Sequence, residues 1–140
     1  MLKTGLLQPD ILRALAAAGH GSTVLISDGN FPHATATSPR ATRVYLNLAP
    51  GKVTVSEVLD AVLPAIPVER AAFMDADDGS RPRAHDELRA ILPVGLPIDL
   101  VPRAGFYAAC GSDSLALVIA TGDQRFFANV LFTIGAIPPD

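Results

Sequence analysis

The chain has 140 residues, with 11 Lys and Arg against 14 Asp and Glu and a net charge of −3. Hydrophobic residues make up 49% and charged residues only 18%, below the roughly 25% charged residues of ordinary soluble domains. No apolar run approaches the ~20 residues of a membrane helix, and no basic stripe is present to meet nucleic acid, so neither a membrane nor a nucleic acid is expected as a partner. The shortage of charge predicts apolar surface hidden between subunits of a homo-oligomer. Cys110 is the one cysteine, which leaves no internal disulfide, and its expected role is that of a small buried residue. The opening MLKTGLLQPD has no apolar stretch long enough for a secretory signal, and a cytoplasmic protein of one domain, residues 1–140, is expected.

Asp10 reads as the N-cap of a helix through ILRALAAAG, with Ile11, Leu12, Leu15 and Ala18 at helical spacing and Gly19 as its stop. STVLISD, ending at Asp28, is a short β-type run. Residues 29–42 are loop by composition. Val44–Leu48 reads as a second strand, and Val55–Leu63 as a helix capped by Thr54 or Ser56 and closed by Pro64. Arg70–Met74 reads as a strand, 75–83 as a polar loop, and Ala84–Leu92 as a helix. Ile98–Val101 is a strand leading into PRAGFYAAC, a candidate short helix. Leu115–Ala120 is a strand, Thr121-Gly122-Asp123 a turn, and Phe127–Thr133 the final strand. Strands and helices in alternation predict an α/β layered domain with a parallel or mixed central sheet.

Three constellations could carry chemistry. Gly19-His20-Gly21 puts a histidine with little side-chain cover where a helix hands over to a strand, although a histidine at a helix C-terminus is also favoured by the macrodipole alone. Asp28 closes a strand and enters Gly29-Asn30-Phe31-Pro32-His33; residues past the carboxyl ends of strands form the crevice of α/β sheets, and an Asx-turn is the plainer alternative. Near the C-terminus, ATGDQRFFANVLFTIG sets Asn129 early in the last strand, with an amide suited to a sugar hydroxyl or to backbone. His20 and Asp28 bracket a strand of roughly 20–25 Å if extended, so they do not pair easily within one subunit and could belong to different subunits' sites. His33 flanks the second constellation, and His85, in RAHDELRAIL, is expected to face solvent. The histidines and Cys110 lack zinc spacing, and no glycine-rich phosphate loop is present. The run Asp75-Ala76-Asp77-Asp78 reads as a solvated loop in preference to a metal site.

Taken together, these segments resemble the RbsD/FucU sugar mutarotases. In that family a helix ends in Gly-His-Gly or Gly-His-Thr, and a strand ends in Asp shortly before Leu/Phe-Pro. Thr-Gly-Glu then precedes an aromatic-x-Asn near the end. Here these are Gly19-His20-Gly21, Asp28 before Phe31-Pro32, and Thr121-Gly122-Asp123 before Phe127-Ala128-Asn129. LVPRAGFYAAC is similar to the arginine-aromatic-Tyr segment of the fucose branch. The resemblance spans the chain and implies a three-layer α/β/α sandwich with a mixed central sheet. It implies His20 and Asp28 as a catalytic acid/base pair, with Arg103, Tyr107, Phe127 and Asn129 around the sugar. It also implies closed rings of subunits such as a decamer. Two departures stand out: Phe127 occupies a position where the family usually has Tyr, and Ala108 one where the fucose branch often has Glu.

The implied reaction opens a cyclic sugar and recloses it. The anomeric hydroxyl loses a proton and the ring oxygen gains one, work for two side chains with no metal and no cofactor. A fucose-like monosaccharide is the expected substrate, with ribose the other candidate. A non-catalytic sugar-binding or regulatory protein on the same fold is the alternative, and a purely structural oligomer a third reading.

Overall fold

The computed structural model describes all of residues 1–140. In chain order the elements are α1 (Pro9–Ala17), β1 (Thr23–Ser27), β2 (Thr42–Tyr45), α2 (Val55–Val62), β3 (Val68–Met74), α3 (Arg83–Ile91), β4 (Ile98–Val101), α4 (Arg103–Cys110), β5 (Leu115–Ala120) and β6 (Val130–Ile134). β4 and β5 lie where the sequence predicts them. The start of α1 differs from expectation: Gln8, not Asp10, is the N-cap, its side chain accepting the Ile11 N–H at 2.7 Å, and Pro9 fits the first helical position because it has no N–H to satisfy. Of the two candidate caps of α2, Thr54 holds the position, in a reciprocal box with Glu57, and Ser56 lies inside the helix. The final strand begins at Val130, three residues later than expected, because Phe127 has a φ of +61°, which no strand residue adopts. Asn129 therefore sits just before β6.

The six strands form one mixed sheet in the order β2-β5-β1-β6-β3-β4. β1 and β2 pair parallel to β5, β3 pairs parallel to β4, and β6 runs antiparallel to both β1 and β3. Five strands thus end at one edge of the sheet, and β6 begins there. Alternate residues of each strand face opposite ways. Val24 and Ile26 of β1 join Phe73 and Phe132 in a core covered by α1, α2 and α3. Leu25, Met74, Val118 and Leu131 join Phe31, Phe106 and Cys110 under α4 and the loop after β1. The result is the three-layer α/β/α arrangement. Phe73, Phe106 and Phe132 are fully buried, each contributing about 1.5–3 kcal/mol of transfer free energy. Cys110 is also fully buried, and burial pushes its thiol up to about 12, which keeps it a packing residue.

His85 departs from its expected solvent position. It is 2% exposed, with its ring stacked on Phe73 at 4.8 Å. The polar neighbours of His85 in α3 predict an outward position, but Ala84, His85 and Leu88 lie on the helix's buried side.

Candidate functional site

The strand ends supply the site. Ser27 is the last residue of β1, and Asp28 is carried past it into the crevice. Its backbone N–H donates to Asn129 Oδ1 at 2.9 Å, while Asn129 Nδ2 donates to Asp28 Oδ2 at 2.9 Å. Asp28 Oδ1 accepts the Asn30 N–H at 2.9 Å, so this residue makes an Asx-turn as well as lining a crevice. Asp28 and Asn129 are buried. Burial raises the carboxyl of Asp28 above its usual value, and its hydrogen bonds from Asn30 and Asn129 offset only part of that rise. A carboxyl so placed exchanges protons nearer to neutral pH than an exposed aspartate does.

Around this pair lies a pocket of about 90 Å³ lined by Asp28, Asn30, Phe31, Met74, Arg103, Tyr107, Phe126, Phe127 and Asn129. Arg103 opens α4 and binds Asp77 through both Nε, at 2.9 Å, and Nη2, at 2.8 Å. This pair raises the guanidinium pKa further and aims it across the Phe127 ring at 5.6 Å. Tyr107 packs edge-on against Phe31 with ring centroids 5.5 Å apart. Five of the six residues singled out from the sequence therefore converge: Asp28, Arg103, Tyr107, Phe127 and Asn129. Asn30, Phe31, Met74 and Phe126 complete the walls; Asn30 and Phe31 belong to the segment that follows Asp28 in the second constellation, whereas Met74 and Phe126 carry no signal in the sequence.

His20 is not among them. It stands before β1, at the opposite edge of the sheet, roughly 20 Å away by strand rise. Its side chain is exposed, with Nε2 2.9 Å from Glu69 Oε2. His33 is half-buried in the loop after Asp28, its Nδ1 2.8 Å from Ser27 Oγ, and burial lowers its pKa. The acidic run is engaged locally: Asp77 by Arg103, and Asp78 by the Ser80 N–H.

The turn before Phe127 is fastened from below. Asp123, 2% exposed, accepts the Val55 N–H at the start of α2 at 3.0 Å and holds Arg125 through Nε and Nη2. Arg125 in turn reaches Glu87 on α3. Gly122 has to be glycine, because a Cβ there would run into the carbonyl oxygens of Lys52 and Ala49. A wider cleft of about 620 Å³ adjoins the pocket and shares Asn30 and Phe126 with it. Its rim carries the exposed side chains of Leu48 and Phe126.

The model of the RbsD / FucU transport protein family matches residues 1–137. The chain belongs to that family. It is 31% identical over 137 residues to a protein of Chromobacterium violaceum named D-ribose pyranase, covering 98% of this chain and 99% of that one. Its fold is similar to that of Bacillus subtilis RbsD in complex with D-ribose, with a TM-score of 0.85 at 20% identity over 99% of this chain and 100% of the other. It is also similar to that of the Streptococcus pneumoniae fucose mutarotase in complex with L-fucose, with a TM-score of 0.83 at 21% identity over the same shares. The RbsD/FucU family thus contains isomerase-type sugar enzymes. No helix of this member is long and apolar enough to cross a membrane.

Proposed function

We propose that the chain is a monosaccharide mutarotase, an isomerase that interconverts ring forms of a fucose-like sugar by general acid/base catalysis. The observation that carries this reading is the convergence of Asp28, Asn129, Arg103 and Tyr107 on one pocket at the strand ends. Asp28 is the titrating group. Its raised pKa brings it closer to the operating pH, where proton transfer in either direction is efficient. Asn129 orients that carboxyl and offers amide contacts to hydroxyls. Arg103 donates paired hydrogen bonds to sugar oxygens, and the faces of Phe31 and Phe127 cover the apolar side of the ring. Ring opening needs one proton removed and one delivered, with no redox step, so no cofactor enters.

One chain offers only part of such a site. Its pocket of about 90 Å³ falls below the roughly 300–1,000 Å³ of closed ligand sites, and its open side meets the exposed Phe126 and Leu48. A second copy of the chain covers that side in this reading and brings His20 to the sugar opposite Asp28. His20 is then the second acid/base group, and the active form is a homo-oligomer, with a closed ring the arrangement suggested by the family resemblance. The Arg103 and Phe106-Tyr107 segment favours a fucose-like sugar, while the relatives named D-ribose pyranase make ribose the main competitor. Phe127, which brings no hydroxyl to the pocket, favours a second reading, a sugar-binding protein without turnover.

Saturation-transfer NMR of anomeric exchange decides between them, with L-fucose, D-ribose and D-galactose on wild type and His20→Ala. Acceleration with one sugar, lost in His20→Ala, is the expected result. Sugar binding without any acceleration over buffer overturns the catalytic reading and favours the second.

A further inference from the structure

Phe127 lines the pocket with a φ of +61°, a conformation that L residues adopt only when their surroundings impose it. Flanking side chains are well fastened: Arg125 to Asp123, and Asn129 to Asp28. Between them, residues 126 and 127 form a turn, and the one side-chain hydrogen bond to the backbone of residues 126–128 comes from the other face of the sheet. His85 Nε2 lies 3.2 Å from the Phe127 carbonyl oxygen. A carbonyl oxygen can only accept, so Nε2 carries the proton, and this bond fixes the tautomer. The imidazole itself has little freedom, being buried and stacked on Phe73 with an interplanar angle of 28°. Arg103 lies over the opposite side of the same residue, 5.6 Å above the Phe127 ring.

We infer that His85 is a positioning residue of the sugar site: its Nε2–H holds Phe127 in the left-handed conformation, and thereby sets where the Phe127 ring and Asn129, two residues on, meet the sugar. The inference rests on the reading of this pocket as a sugar site. His85 touches no substrate; it acts through the carbonyl of a residue that does. A carbonyl left free would let residues 126–128 relax toward extended backbone and carry the ring out of the pocket wall.

Two substitutions separate the hydrogen bond from the packing. His85→Phe keeps a flat ring on Phe73 and removes the donor; His85→Gln removes the ring and keeps an N–H. The expected result is a loss of about tenfold or more in kcat/KM for sugar exchange in His85→Phe, since small misplacements of a site wall are costly, with rates nearer to wild type in His85→Gln. Exchange by His85→Phe equal to wild type at the same folded fraction overturns the inference. A readout independent of turnover accompanies it. Long-range ¹H–¹⁵N correlation is expected to show His85 protonated at Nε2 alone, and the Ala128 amide is expected to shift in His85→Phe and return in His85→Gln. A His85 protonated at Nδ1 alone, or an Ala128 amide unmoved in His85→Phe, overturns it. Wild type that accelerates no sugar overturns the mutarotase reading instead, and the Ala128 amide then still decides the role of His85.

Discussion

Asp28 and Asn129, 101 residues apart in the chain, exchange two hydrogen bonds of 2.9 Å each. The pairing uses both ends of the amide, one toward the backbone and one toward the carboxylate. Asn129→Ala is therefore expected to leave the buried Asp28 N–H without an acceptor. Unfolding in urea should show a loss of about 1–3 kcal/mol, the cost of a buried unsatisfied group. Asn129→Asp should lose more at neutral pH than at acid pH, because it sets one carboxylate against another.

The pH dependence of stability has a definite sign. Burial holds the pKa values of His33 and His85 below the ordinary 6.5. Between pH 6.5 and those lowered values the unfolded chain binds protons that the folded chain does not. Stability is thus full above about pH 6.5 and falls as the pH drops through that window. Asp28 acts oppositely: its raised value makes the folded chain the better proton acceptor at lower pH, which offsets part of the loss. Denaturation midpoints measured from pH 8 to pH 5 should show the decline, and His33→Phe should flatten it.

Arg125→Ala should strip the buried Asp123 of its bidentate partner. Breaking a fully buried pair costs about 3–5 kcal/mol, and the partial exposure of Arg125 brings the expected loss to about 2–3 kcal/mol. Arg125→Lys should recover only part of this, since an ammonium cannot reproduce the fork of bonds. Thermal unfolding of the three proteins checks the order.

Phe127→Tyr is expected to raise the exchange rate with the preferred sugar, by adding a hydroxyl beside Asn129 in a pocket otherwise ready to receive it. Saturation-transfer NMR on the variant reads this directly. A rate unchanged or lowered would mean that this pocket has been shaped around the bare ring.

His20→Ala and Asp28→Asn should each abolish exchange alone, yet recover part of it when the two proteins are unfolded together and refolded as mixed oligomers. Recovery requires sites that take His20 from one copy and Asp28 from another. Its absence, with mixed oligomers confirmed by native mass spectrometry, would place the whole reaction on one chain.

The layered fold and the edge of the sheet that carries the site were legible because both are written locally. Short apolar runs such as LALVIA mark strands, and the aspartate closing STVLISD marks a strand end. Arg103 and Tyr107 became legible through resemblance, since nothing in their spacing says that α4 leans over the end of β1. The flanks of His85, Arg83, Asp86 and Glu87, are polar and predict an exposed position, and only the packing of α3 on Phe73 reveals which side of the helix is covered. The left-handed backbone at Phe127 left no mark in the sequence at all. Phe127, directly before a run of apolar residues, reads as strand, and the side chain that meets its carbonyl comes from 42 positions earlier.

The position of β6 bears on how the site comes into being. It is the last strand in sequence and lies in the middle of the sheet. Without it, β2, β5 and β1 form one ribbon and β3 and β4 another, with nothing to bond them edge to edge. Asp28 follows directly on the first ribbon, Met74 ends a strand of the second, and Asn129 immediately precedes the strand that joins them. Closing loops of such length is a late and slow step in folding. Either ribbon alone lacks part of the pocket lining, so if the pocket is the proposed sugar site, the appearance of sugar binding during refolding is expected to time the insertion of a single strand.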